Sequence, residues 1–161
     1  MAEIRFIVPT LKERIRAASA GIDDAVQEAK RNVETPLYLP LNVSAYLAFL
    51  VADKYFSSLP DRFDKYIKNL LSHIPKRDRL KRYDYLKTLG DSVLWINGCL
   101  ETALIVSNLV RAQEFYGDAS DIGKKLNEPD ADALHNLAEN IPYYLPVFKR
   151  IPDKFIKRLI A

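Results

Sequence analysis

One cysteine, two histidines and five glycines in 161 residues leave this sequence little of what most catalytic sites are built from. The lone Cys99 excludes an intrachain disulfide and any multi-cysteine metal site. Its place in an apolar stretch marks a buried, inert thiol and fits a reducing compartment. Five glycines are few for a β-rich fold with many tight turns. No phosphate loop or dinucleotide fingerprint occurs, nor a nucleophile elbow with a glycine-rich oxyanion loop. The histidines supply only half of a di-iron bundle signature. Asp132 and His135 share a helical face, and Glu101 and Glu114 are imaginable as further ligands, but the second carboxylate–histidine pair is missing. His73 precedes Ile74 and Pro75, where an imidazole satisfies helix-terminal carbonyls. Glu114, Asp118 and Asp121 form an acidic line of the kind that usually faces solvent. No catalytic residue, metal site or cofactor is expected, and the reading leans away from an enzyme.

Charge of one sign is also scarce. Lys and Arg number 24 against 21 Asp and Glu, a formal net charge of +3. That falls short of a dedicated nucleic-acid binder, in which basic residues dominate one face. The one dense basic run, Lys76, Arg77, Arg79, Lys81 and Arg82, is interleaved with Asp78 and followed by Asp84. It reads first as the solvated opening of a long helix. Phosphate, RNA or an acidic lipid surface is the functional alternative, with no aromatic stacking platform beside it. The start of the chain carries no basic segment leading into an apolar one, so no signal peptide is expected and the cytoplasm is the default.

What is present is helical periodicity. Residues 83–110 carry Leu86, Leu89, Val93, Ile96, Leu100 and Ala103 at three-and-four spacing. The stretch is apolar nearly all round, as a helix covered on several sides must be. It is long enough for a membrane span, but Asn97, Glu101 and Asn108 would be costly at a bilayer centre. Gly90 and Gly98, eight apart on one face, suggest that another helix crosses closely, with a ligand against the bared backbone or a kink at one glycine as the alternatives. Around this centre, Ile4 to Val8 reads as a short extended arm, and Thr10 caps a helix from Leu11 to about Val33. Asn42 or Ser44 caps a second, apolar helix over about 43–57. A third places Phe63, Ile67, Leu70, Leu71 and Ile74 on one side and stops at Pro75. Asn127, Glu128 and Pro129 form a turn before a helix with Leu134, Leu137, Ala138 and Ile141 inside. Pro142, Pro146 and Pro152 each can kink or restart the tail, and 149–161 is a basic amphipathic segment. No strand series of period two occurs. The expected fold is a single all-α domain, a bundle of about six helices around an apolar central helix at 83–110.

The segments YLAFL (Tyr46 to Leu50), LGDSVLWING (Leu89 to Gly98), FYGDA (Phe115 to Ala119) and LAENIPYYLPVF (Leu137 to Phe148) follow one another in an order that resembles an uncharacterised bacterial family of helical proteins with an LGD-and-glycine central segment. The likeness spans roughly residues 43–148. The chain departs from the family's aromatic-rich version by carrying Asn97, Cys99 and Glu101. The family has no activity attached, so the resemblance implies a soluble bacterial helical domain and nothing catalytic.

Two charges inside the uncharged helix, Asp91 and Glu101, need partners if buried. A cap or an ion pair is the plain explanation. A polar spot in a ligand pocket is the functional one. Asp91 with Trp95, and Asn97 with Glu101, stand four apart and can meet one ligand, with Tyr116 as a further contributor. Three functions follow as expectations. The first is a non-enzymatic interaction protein that forms a homodimer through apolar, tyrosine-rich faces. The second is a small-molecule binder or enzyme with its pocket near Asp91, Trp95, Asn97, Glu101 and Tyr116. The third is a weak nucleic-acid or membrane-surface binder using the basic run and the basic C-terminus.

Overall fold

Thr10 opens the first helix, accepting the Glu13 N–H at 3.2 Å. From there the computed structural model describes residues 9–32, 37–57, 63–100 and 106–161. These residues form seven α-helices, one π-helical segment and no strand, around a shared hydrophobic core. The expected arm at 4–8 and the residues Glu101 and Ala103 lie outside the described residues.

α1 (Leu11–Asn32) buries Ala17, Ala18, Gly21, Ile22, Ala25 and Ala29. The small side chains let α7 (Ile151–Leu159) cross almost in contact. A β-carbon on Gly21 would stand 2.9 Å from both Cα and N of Phe155. Two ion-pair clusters flank the crossing. Arg158 donates to Asp24 at 2.6 and 2.8 Å, and Arg150 and Lys154 donate to Glu28 at 3.0 Å each. Exposed pairs of this kind add little. The fully buried Ile151 and Phe155 hold the helix down, at roughly 1.5–3 kcal/mol each. The basic C-terminal segment therefore packs on α1, and three of its cations serve there.

α2 (Leu41–Lys54) starts two residues earlier than the sequence suggests. Pro40 holds the N-cap position with no side-chain cap, and Asn42 only accepts the adjacent Val43 N–H at 2.9 Å. Val43, Leu47 and Val51 face the core, while Leu41, Ala45 and Phe49 stay exposed. Arg14 of α1 ties the far end by donating to the Ala52 carbonyl at 2.7 Å. α3 (Phe63–Ser72) ends as expected, with His73 Nδ1 2.7 Å from the Asn69 carbonyl. Ile67 is buried and Leu71 exposed.

The central stretch is not one helix. α4 (Arg79–Val93) is capped by Asp78, which accepts the Lys81 N–H at 3.1 Å, and buries Leu86, Leu89 and Val93 as the spacing predicts. The backbone then widens into a π-helical segment, Leu94–Leu100, with i→i+5 bonding. Wider turns shift the phase of the stripe. Ile96 becomes half-buried and Leu100 exposed, while Leu94, Trp95 and Cys99 turn inward. α5 (Val106–Lys125) runs back along α4. Gly90 faces Tyr116 and Tyr83 faces Gly123, which fixes the pair as antiparallel. Gly90 thus serves the close approach that its presence suggests, but Gly98 meets Leu94 of its own segment and Phe148.

Asn127, at φ 56°, makes the left-handed turn into the next helix, with Glu128 N–H donating to the Gly123 carbonyl at 2.8 Å. α6 (Ala131–Phe148) passes through Pro142 and Pro146 without breaking; Pro152 instead sits at the start of α7. Leu134, Leu137 and Ile141 are fully buried. Gln113 and Ser120 of α5 donate to the Ala138 and Ala131 carbonyls of α6, so these two helices are antiparallel as well. No helix among the described residues is long and apolar enough to cross a membrane.

Candidate ligand pocket

α2 and α4 do not pack closely along their backbones. Long side chains bridge them instead, and between them lies a pocket of about 710 Å³. Ala45, Phe49 and Leu50 of α2 and Leu11 of α1 give it an apolar lining. Its polar groups are Tyr46, Asp53 and Lys54 of α2, Lys87 and Asp91 of α4, and Asp130 just before α6. The size is that of sites for small organic ligands.

Asp91 lines the pocket from α4. Tyr46 donates to its Oδ1 at 2.6 Å and Tyr116 to the same oxygen at 2.7 Å. One carboxylate thereby joins α2, α4 and α5. The rings meet edge to face, 6.3 Å apart. Burial raises the Asp91 carboxyl to about 6; the two hydroxyl bonds and the lysines Lys87 and Lys54 pull it down without offsetting that desolvation. Burial and the neighbouring carboxylate push both phenols well above their ordinary range, so they remain neutral donors.

The lysines are engaged elsewhere. Lys87 donates to Asp130 at 2.9 Å and lies over the Tyr46 ring, 5.4 Å from its centroid. Lys54 reaches Ser92 at 3.5 Å. Asp130 spends its carboxylate on this contact and makes no side-chain cap for α6. Among the described residues no cation pairs directly with Asp91.

Of the five residues predicted for a pocket, the structure brings Asp91 and Tyr116 together. Trp95 does not line this pocket; it is buried against Tyr55, 6.3 Å between rings. Asn97 turns to the Val93 carbonyl at 3.3 Å, at the junction of α4 with the π-helical segment. Glu101 lies outside the described residues. Sequence reasoning missed Tyr46 and Lys87. Lys87 precedes Asp91 by four on one helical face, a signal that was present.

The remaining candidates resolve differently. Lys76, Arg79 and Arg82 line a shallow groove with Asp118 and Asp121, so the basic run faces the acidic line of α5. Arg77 and Lys81 are exposed. Burial and the neighbouring Asp121 raise the Asp118 carboxyl, against the pull of Arg82. Cys99 is a buried free thiol, pushed far above its ordinary range by desolvation. His135 pairs with Glu139 at 3.1 Å on the surface, and no metal-binding group of three ligands occurs among the described residues. A scan against protein-family models and searches of curated proteins and of solved structures return no match for the chain.

Proposed function

We propose that this is a non-catalytic helical binding protein whose site is the pocket between α2 and α4. The observation that carries the reading is Asp91, a desolvated carboxylate lining an opening together with Phe49 and Leu50. A carboxylate that served only to join helices needs no such opening beside it. The proposal takes the cytoplasm as the compartment, in keeping with the single thiol. It also takes the protein as a bacterial helical domain of the kind its LGD segment resembles.

Ligand-observed NMR with a fragment library tests it, run beside Ala45→Trp, which fills the pocket from an exposed position. Fragments should bind the native protein and lose binding in the variant at unchanged thermal stability. Binding insensitive to Ala45→Trp would remove the pocket from consideration.

A second reading, self-association as a homodimer, rests on the outer edge of α2. Leu41 is 84% exposed and Phe49 58%, with Tyr38 nearby in sequence at 73%. No charge interrupts residues 37–52. Apolar edges of this kind mark contact surfaces. Sedimentation equilibrium should show a dimer that Leu41→Glu dissociates; a monomer at high concentration excludes it.

A further inference from the structure

We infer that the pocket takes a small organic cation, an amine with an apolar or aromatic body, whose ammonium group pairs with Asp91. The inference rests on the pocket being a binding site and adds the chemical class.

The charges of the site select the sign. Its formal groups are the acids Asp53, Asp91 and Asp130 and the bases Lys54 and Lys87, which leaves one negative charge in excess. Lys87 and Asp130 neutralise each other at 2.9 Å. Lys54 is turned toward Ser92. Asp91 receives neutral hydroxyls only, both on Oδ1. Its desolvation outweighs every favourable contact that the protein supplies. A carboxylate in that condition gains from an entering cation. An anionic ligand would meet two carboxylates and find one lysine already paired.

The walls select the body. α2 runs alongside from Asn42 to Asp53, roughly 16 Å at the helical rise per residue. Phe49 and Leu50 offer that body an aromatic ring and an aliphatic surface, and Leu11 adds a further apolar side chain.

The test uses three probes of one shape on the full chain: phenethylamine, phenethyl alcohol and hydrocinnamate. Backbone NMR shifts at Phe49, Leu50 and Lys87 report where each binds, and the titration gives its affinity. Phenethylamine should bind at these residues about tenfold or more tightly than the alcohol, a difference of about 1.4 kcal/mol. Hydrocinnamate should bind more weakly still. Asp91→Asn retains an oxygen to accept from both tyrosines and should bring the amine to the affinity of the alcohol. If the variant does not fold, the wild-type ratio decides alone. Alcohol or hydrocinnamate binding here as well as the amine overturns the cationic class and leaves the pocket standing. No shift at these residues with any probe overturns both.

Discussion

Tyr116 of α5 lays its ring against Gly90 of α4 so closely that a β-carbon there would stand 2.6 Å from its Cε1. The ring is fully buried and its hydroxyl is held by Asp91, the residue after that glycine. The LGD triplet thus does three things in sequence: Leu89 fills the core, Gly90 admits the ring and Asp91 binds its hydroxyl.

Gly90→Ala should therefore destabilise the fold although alanine is the better helix former. Overpacking a rigid site costs about 1–3 kcal/mol, against a propensity gain of about 1 kcal/mol. The melting temperature should fall by several degrees. Gly117→Ala is the control. Its β-carbon would lie 3.8 Å from the Ala138 β-carbon, an ordinary contact, so the propensity gain should appear as a higher melting temperature. If the two substitutions shift the melt equally, the Gly90–Tyr116 contact is not the constraint described.

The Asp91 carboxyl, raised from 3.8 to about 6 by burial, sets a pH dependence of known sign. The folded state holds the proton more tightly than the unfolded chain. The stability this gives is full below the unfolded value near 3.8 and is lost as pH rises through about 6. Asp24 and Glu28 act oppositely, since their bonds to Arg158 and Lys154 lower their carboxyls. Comparison with Asp91→Asn isolates the single group. The stability of the native protein relative to this variant should fall by up to about 3 kcal/mol from pH 4 to pH 7. Urea melts at both pH values measure it; a constant difference would show that Asp91 titrates normally.

The two phenols should be separable by their effect on the same carboxyl. Each bond favours the ionised form, so Tyr46→Phe and Tyr116→Phe should each raise the Asp91 carboxyl further. Hydrogen bonds to charged groups contribute about 1.5–3 kcal/mol. Because both donors use one oxygen, the double variant should depart from additivity by more than about 0.5 kcal/mol. Carboxyl-carbon NMR follows the titration, and an unmoved midpoint in either single variant would remove that tyrosine from the site.

The all-α class, the Thr10 cap, the turn at Asn127 and the inner face of α6 were legible because each rests on local spacing or on one side chain's chemistry. Asp91 was legible as a charge in an apolar helix, and Tyr116 belonged with it. Trp95 and Asn97 were misplaced because a four-residue spacing assumes α-helical turns, and the backbone widens at Leu94. Nothing in the residue types of LWINGCL announces that change. Tyr46 was missed because its partner lies 45 residues away and YLAFL reads as plain core. A tyrosine on the buried face of an apolar helix needs a partner for its hydroxyl, and that was the available signal. The basic C-terminus was legible as an amphipathic segment, but its partners Asp24 and Glu28, supplied by α1 more than 120 residues away, were not.

That last contact carries its own prediction. α7 is nine residues long and is held by the buried Ile151 and Phe155, with the Phe155 backbone against Gly21. At Gly21 the obstacle is the Phe155 backbone, which no rotamer change can clear. Gly21→Ala should lift α7 from α1 and expose Phe155, costing at least the roughly 1.5–3 kcal/mol of its burial. Hydrogen exchange should then accelerate across 151–159 while α4 and α5 keep their protection. Neutralising Glu28 with glutamine removes two ion pairs but leaves that packing intact, so exchange in α7 should change little. If Glu28→Gln frees the helix and Gly21→Ala does not, charge rather than close packing holds the C-terminus in place.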